Sequence, residues 1–416
     1  MDKGTQVGAV APAPQVVRDV LTEIAREGAR RMLATALEDE VAAYIAAAAC
    51  ERDEAGRRLV VRNGHAQERE VQTGLGAVAV RAPRVRDGRK DEAGERVRFS
   101  SKILPPYLRR TRSVEELLPW LYLRGISTNG FEDALAALFG ENAPGMSQST
   151  IVRLKAVWEP EYEAWTRRPL GGKRYVYVWV DGVYVNVRLT GERTCILVVI
   201  GATANGEKEL LAVHDGVRES EESWKEVLLS LRDRGLAIAP KIAIGDGALG
   251  FWAAVSKVFP TTRHQRCWVH KTANVLNKMP KTLHAPAKRA LHEIWMADSK
   301  ANAEKAVSSF RDLFGAKYPK AVACVEDDKA ELLAFYDFPA EHWKHLRTSN
   351  PIESTFSTVR LRTDRTKGSG SRIACLTMVF KLCQSAARSW RRLDAVERLG
   401  ELILGAQFKD GIKVAA

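Results

Sequence analysis

A single carboxylate interrupts the run Tyr-Val-Tyr-Val-Trp-Val-Asp-Gly-Val-Tyr-Val at residues 175–185. Its neighbours are valines and aromatics, the residue types that suit a pleated strand covered on both faces. An acid moved from water into such a strand is costly unless an opposite charge meets it. A bound cation is a common reason to keep one there, so Asp181 is read as a site residue on a central strand. Two further acids fit the same reading. Asp246 ends the short apolar run Lys-Ile-Ala-Ile-Gly-Asp-Gly at 241–247, and Glu353 follows Thr-Ser-Asn-Pro-Ile. In that last segment Asn350 is expected as helix N-cap, Pro351 as the first helical residue and Glu353 as the third. A glutamate there is also an ordinary capping residue, so no one of the three decides the matter alone.

The chain has 416 residues, enough for two or three cores. Residues 1–14, small and proline-containing, read as a disordered tail. Residues 15–112 read as an N-terminal helical and small-β region, whose arginines suggest DNA binding. Its helix carries Val17, Leu21 and Ile24 on one face and Leu33, Leu37, Val41 and Tyr44 on another, for core or dimer packing. Short strands are expected around turns at Asn63-Gly64 and Gly74–Gly76. This segment is arginine-rich, and Arg62, Arg84 and Arg86 are candidate phosphate contacts.

Residues 113–168 read as a helix-turn-helix-like DNA-binding region. Val114, Leu117, Leu118 and Leu121 form one apolar stripe, and Phe131, Leu135 and Leu138 a second. A third helix would carry Ile151, Leu154 and Trp158 inward, leaving Gln148, Arg153 and Lys155 outward for a major groove. Many small helical bundles share this pattern, so the groove reading leans on the net charge of +13, which suits a polyanionic partner.

From residue 169 the pattern becomes mixed α/β. Strands are expected over Lys173–Val187, Thr194–Thr203 and Glu207–Asp215, then a helix over Ser220–Arg234. A fourth strand over Lys241–Asp246, a helix over Leu249–Val258 and a fifth strand over Thr262–Trp268 follow. That order predicts an α/β fold with a ribonuclease H-like catalytic core, a mixed sheet flanked by helices. Its first part would span 169–270. Residues 271–345 read as an all-helical insertion, with Leu276, Leu291, Trp295, Phe310, Leu313 and Leu333 spaced as buried positions. Residues 346–416 would complete the core with the Glu353 helix and a C-terminal helix over Ile373–Arg391.

Carboxylates are hard ligands, and Mg²⁺ prefers one or two of them beside phosphate oxygens and water. Three acids could hold two Mg²⁺ or Mn²⁺ ions for phosphodiester chemistry. Gly182 and Gly247 would let a DNA backbone come close. Arg360 lies two helical turns beyond Glu353, on the same face. Arg362, Arg365 and Lys367 continue a basic strip that could hold DNA. Cys267 and His270 form a Cys-x-x-His pair, which lacks the further ligands of a zinc site; His270 beside scissile DNA is the better reading.

The six cysteines include no Cys-x-x-Cys pair, and reduced thiols in a cytoplasm are expected. No signal peptide is read at the start. No apolar run approaches the roughly 18 residues of a membrane span.

With these motifs in place, the chain resembles bacterial insertion-sequence transposases of the IS256, or Mutator-type, family. The resemblance runs from about residue 30 to about residue 405. It rests on Arg62-Asn63-Gly64, Thr73-x-x-Gly76, Pro83-Arg84-x-Arg86, Val180-Asp181-Gly182, Gly245-Asp246-Gly247, Gln265-x-Cys267-x-x-His270 and Asn350-Pro351-Ile352-Glu353-Ser354-x-Phe356. It implies that Asp181, Asp246 and Glu353 are a metal-binding Asp-Asp-Glu triad. Cys267 and His270 would be a motif near the active site, and Arg360 the basic residue after the glutamate. It also implies double-stranded DNA partners (terminal inverted repeats and target), a homodimer, and a place in the bacterial cytoplasm at the nucleoid. Two rival readings are an inactive, domesticated DNA-binding regulator and another ribonuclease H-like nuclease. Intact acids in all three contexts oppose the first, and the large N-terminal part opposes the second.

Overall fold

A computed structural model of the chain describes residues 20–123, 153, 156–187, 193–216, 218–247, 249–365 and 371–414. The expected tail, Gln148, Lys155, Lys367 and most of the helical stripes at 131–154 lie outside the described residues. The chain divides into two compact units, one from the N-terminus to Tyr122 with residues 126–152, the other from Arg153 to the C-terminus with residues 123–125.

In the first unit, helix α1 (Val20–Ala47) precedes strands β1 (Val60–His65), β2 (Arg69–Thr73), β3 (Gly76–Val80) and β4 (Pro83–Asp87), and helix α2 (Arg112–Leu123) follows. The strands pair antiparallel, β1 with β4 and β2 with β3. Leu37, Val71, Val78, Val80 and Leu104 make the core. Leu37 and Val41 are the buried residues of α1, whereas Leu21 is 75% and Ile24 65% exposed. The second expected face of that helix is therefore the one that packs within the chain. The Gly74–Gly76 turn joins β2 to β3. Asn63-Gly64 instead lies inside β1, where the register to β4 shifts between Arg62 and His65. Gly64 has φ +64 there, so its conformational freedom serves a bulge rather than a hairpin turn.

The second unit begins with α3 (Trp158–Thr166). Three long strands follow, β5 (Tyr175–Asn186), β6 (Arg193–Thr203) and β7 (Lys208–Gly216). Next come α4 (Glu221–Asp233), β8 (Ile242–Gly245), α5 (Leu249–Val258) and β9 (Arg263–Arg266). They build a five-stranded sheet in the order β7-β6-β5-β8-β9. β5, β6 and β7 form an antiparallel meander, and β8 and β9 run parallel to β5 and to each other. Val178, Val180, Leu197 and Val199 turn to one face, packed with Trp224, Leu228 and Leu231 of α4 and Phe251 and Val255 of α5. Alternation sends Tyr177, Trp179 and Asp181 to the other face. Burial on both faces explains the unbroken apolar runs of these strands.

The other face is covered by α12 (Asn350–Arg365) and α13 (Arg372–Ala387). Between β9 and α12 the chain is helical: α6 (Trp268–Leu276), α7 (His284–Met296), α8 (Lys300–Phe314), α9 (Pro319–Glu326), and the short α10 (Lys329–Leu332) and α11 (Trp343–Leu346). Leu291, Ile294, Phe310 and Val325 are buried in it. Leu313, expected inside, is 69% exposed, and Phe314 takes the inward position. Gln265 on edge strand β9 donates to the Leu332 carbonyl at 3.1 Å and accepts from the Phe335 N–H at 2.8 Å. These bonds tie the helical segment to the sheet edge, which an open strand would otherwise expose. The C-terminal end adds α14 (Val396–Ile403) and a small hairpin, β10 (Phe408–Lys409) with β11 (Ile412–Lys413). All six cysteines are free thiols. No helix among the described residues is long and apolar enough to cross a membrane.

Candidate active site

Backbone pairing of β5 with β8 runs Tyr177–Ile242, Val178–Ala243 and Trp179–Ile244. Continued two residues along each strand, that register sets Asp181 beside Asp246, the residue that follows β8. Neighbouring strands lie about 4.8 Å apart, so the two carboxylates leave adjacent backbones. Asp181 is 7% exposed and takes the N–H of Gly182 at 2.8 Å. Burial first, then the like charge of Asp246, push its carboxyl up to about 7, while His270 acts the other way. The backbone of Asp246 is fixed by the Trp252 indole, which donates to its carbonyl at 3.0 Å, and by the Arg266 guanidinium at 2.9 Å.

The third acid arrives from a helix, α12, rather than from the sheet. The Cys267 N–H donates to the Gly245 carbonyl at 2.8 Å, so α6 starts where β8 ends. One turn into α6, His270 places its Nδ1 3.8 Å from Glu353 Oε1. Glu353 sits in the first turn of α12. Its own N–H donates to the Ser349 carbonyl at 3.1 Å. Ser349 thus holds the cap position expected of Asn350, and Glu353 lies one place deeper in the helix. The Ser349 hydroxyl donates to Glu353 Oε1 at 2.7 Å, and the Cys267 thiol donates to the same oxygen at 3.4 Å. The Ser349 N–H in turn donates to Cys267 Sγ at 3.3 Å.

Cys267, His270 and Glu353 are the set of described residues whose ligand atoms lie within 4.8 Å of one another. Asp181 and Asp246 are not part of so tight a group; register and charge, rather than contact, link them to it. Burial pushes the Cys267 thiol up to about 11. A thiol that keeps its proton is a poor zinc ligand, and here it serves as a hydrogen-bond donor to the carboxylate. Beside the Glu353 carboxylate, His270 Nδ1 is buried with no hydrogen-bond partner, and it is the carboxylates of Asp181, Asp246 and Glu353 whose oxygens suit a hard divalent cation.

A fourth acid, absent from the sequence reading, joins them. Glu219 lies in the link between β7 and α4, and burial followed by the charge of Asp246 pushes it up to about 7, with His270 opposing. A β-carbon on Gly182 would lie 2.5 Å from Glu219 Oε1. The space at Gly182 is therefore filled by this side chain rather than held open for DNA. At Gly247 the nearest group is the Arg266 guanidinium, 4.0 Å away, so the expectation of an open approach holds at that glycine alone.

The expected basic contacts divide. Arg360 is exposed on α12. Arg362 is 1% exposed, so the strip predicted beyond Glu353 turns inward at that residue and does not present its guanidinium to solvent. Arg365 ends α12. In the first unit Arg62 is bound to Glu38, at 2.6 Å from Nη2 to Oε1, and to His65. Arg84 and Arg86 share the exposed face of β4. Arg153 is exposed in a helical turn.

The family profile described as "Transposase, Mutator family" matches residues 7–393. The transposase for insertion sequence element IS6120 of Mycolicibacterium smegmatis is 53% identical over 298 residues, 72% of this chain and 92% of that protein. The transposase for insertion sequence element IST2 of Acidithiobacillus ferrooxidans is 52% identical over 288 residues, 68% of this chain and 95% of that one. The transposase for insertion sequence element IS256 in transposon Tn4001 of Staphylococcus aureus is 28% identical over 331 residues, 78% of this chain and 80% of that one.

Proposed function

The chain belongs to the Mutator family of transposases, and from that premise we propose that it cuts and joins DNA at the ends of its insertion sequence by a metal-dependent, three-carboxylate mechanism. The observation that carries this reading is the parallel β5–β8 register, whose continuation past Trp179–Ile244 would bring Asp181 beside Asp246. The strand order β7-β6-β5-β8-β9, with helices on both faces, supports a ribonuclease H-like core. The helical segment between β9 and α12 fits an insertion that separates the second acid from the third.

In this reading Asp181, Asp246 and Glu353 hold the cations. When bound, two Mg²⁺ or Mn²⁺ ions would activate the attacking oxygen and stabilise the leaving oxygen of an in-line displacement. Asp181 contributes from a dry strand where a carboxylate is poorly solvated, which raises its preference for a cation. Ser349 and Cys267 fix one oxygen of Glu353 and so aim the other. His270 stands against Glu353 and can position a phosphate oxygen or the water beside it, and Arg360 offers charge to the DNA strand. The first reaction would be hydrolysis at the element end, freeing a 3′-hydroxyl, and the second an attack by that hydroxyl on another phosphodiester. Residues 15–168 would recognise the terminal inverted repeats. Two ends brought together call for two copies of the chain, a homodimer.

The test uses labelled duplexes bearing the inverted repeats that flank the gene, incubated with the full chain and Mg²⁺ or Mn²⁺. Asp246→Asn is expected to abolish cleavage and leave repeat binding within about twofold. Cleavage retained in that variant would sink the assignment. Binding without metal-dependent cuts by the wild-type chain, with paired ends, would favour a DNA-binding regulator.

A further inference from the structure

The link between β7 and α4 brings a carboxylate to the site through a gap made for it. Ser220 caps α4, accepting the Ser223 N–H at 3.2 Å, and Glu219 stands just before it. Two glycines hold Glu219. At Gly182, next to Asp181, a β-carbon would strike Glu219 Oε1 at 2.5 Å, Cδ at 2.6 Å and Cγ at 2.8 Å. At Gly250, in the first turn of α5 and four residues after Asp246, a β-carbon would strike the Glu219 carbonyl oxygen at 2.5 Å. Side chain and backbone of this one residue are thus seated against the segments that carry both aspartates. Any side chain larger than hydrogen at either glycine would displace it.

The charges around Glu219 do not explain its place. Its electrostatic neighbours are Asp246 and Asp181, of the same sign, His270, and Tyr184 and Cys195, of which the Tyr184 hydroxyl meets the Glu219 backbone rather than its carboxylate. No lysine or arginine among the described residues makes an ion pair with it. Like charges gathered where water is scarce repel strongly, and an added cation removes that cost. A structural role for Glu219 would instead call for a cationic or hydrogen-bonding partner in the fold.

We propose that Glu219 is a fourth carboxylate of the metal site, entering past Gly182 to share a divalent ion with Asp246. This rests on the catalytic reading given above. An extra anionic oxygen raises affinity for a hard divalent ion and keeps that ion bound while the DNA strands exchange.

The test is Mn²⁺ binding to the full chain without DNA, followed by electron paramagnetic resonance of free Mn²⁺ and by the metal-dependent shift in melting temperature. Glu219→Gln keeps the shape over Gly182 and removes the charge. It is expected to weaken Mn²⁺ binding about tenfold, the loss typical of a metal-site partner, and to shrink the melting shift. The metal concentration for half-maximal cleavage should rise by a similar factor. Glu219→Asp, charged but shorter, should lose about threefold, and covers the case of a misfolded glutamine variant. Asp246→Asn is run beside them. If it weakens Mn²⁺ binding and neither Glu219 variant does, Glu219 is no ligand and the catalytic reading stands. If Asp246→Asn also leaves binding unchanged, the site assignment itself fails.

Discussion

Both hydrogen bonds to the Glu353 carboxylate end on Oε1, from Ser349 at 2.7 Å and Cys267 at 3.4 Å. A carboxylate gripped by one oxygen has a fixed plane, and its second oxygen has a fixed direction. Such orientation matters because ligands to a catalytic ion must hold within a fraction of an ångström. In the proposed mechanism Ser349 would be a positioning residue, since it touches the Glu353 carboxylate. Ser349→Ala should lower the cleavage rate about tenfold, equivalent to ~1.4 kcal/mol, and leave repeat binding and melting temperature nearly unchanged. Ser349→Thr, which keeps the hydroxyl, should restore most of the rate. Single-turnover cleavage beside a binding assay checks this; an equal loss in Ser349→Ala and Ser349→Thr would show that the hydroxyl is not what matters. None of this was readable in Thr-Ser-Asn-Pro-Ile-Glu, where proline at the first helical position pointed to Asn350 as the cap. Ser349 takes that place through its carbonyl, which accepts the Ile352 and Glu353 N–H groups, while its hydroxyl donates to the Glu353 carboxylate four residues on.

Among the elements, the antiparallel pair β1–β4 shows how the first unit is fastened. Asp87 ends β4, and its side chain is 2% exposed. Tyr44 of α1 donates to it at 2.6 Å, and Arg89 does so at 2.8 Å to Oδ2 and 3.0 Å to Oδ1. The bonds from Arg89 hold its carboxyl down to about 2. The unfolded-state value is near 3.9, so this is a lowered carboxylate. Its contribution to stability is present above about pH 4 and lost as pH falls through about 2. Asp87→Asn should therefore destabilise α1 and the β1–β4 pair by on the order of 1–2 kcal/mol at pH 7. Wild type and variant should converge near pH 2. Hydrogen exchange of the β1 and β4 amides as a function of pH measures this, and a gap that persists at pH 2 would refute it. The central strands were legible: β5, β6 and β8 fall where valine, isoleucine and aromatic runs stand, since burial on both faces leaves no polar alternation to confuse, whereas edge strand β9, Arg-His-Gln-Arg, carries no such run. The small hairpin β10–β11 went unread although Lys-Asp-Gly-Ile carries the Asp-Gly signal, with Asp410 at φ 48 and Gly411 at φ 79. Glu219 could not be read at all. In Arg-Glu-Ser-Glu-Glu-Ser it resembles any acid before a capped helix, and only the packing at Gly182 sets it apart.

Over the whole molecule the net charge of +13 suits a polyanion such as the DNA of the proposed function, but does not say which cations would meet it. The ion pairs narrow the choice. Arg62 is bound to Glu38, Arg89 to Asp87 and Glu51, and Arg110 to Glu115. Such guanidiniums are committed to the fold, and moving one to a phosphate would break a pair already made. Arg84 and Arg86 differ: alternate residues of β4 on its exposed face, they present two charges roughly 6–7 Å apart along one strand. That spacing is close to the separation of successive phosphates along a single DNA strand. Each phosphate neutralised releases counterions, so the logarithm of affinity falls with the logarithm of salt by about 0.9 per contact. Arg84→Ala and Arg86→Ala should each weaken binding to repeat and random duplexes alike and reduce the salt slope by about one. Arg62→Ala should leave the slope unchanged and lower the stability of the first unit only slightly, because Glu38 stays solvated and keeps His65 at 3.0 Å. Titrations of labelled duplex at several salt concentrations separate the two outcomes. A slope that falls for Arg62→Ala and holds for Arg84→Ala would place the DNA on another face of this unit.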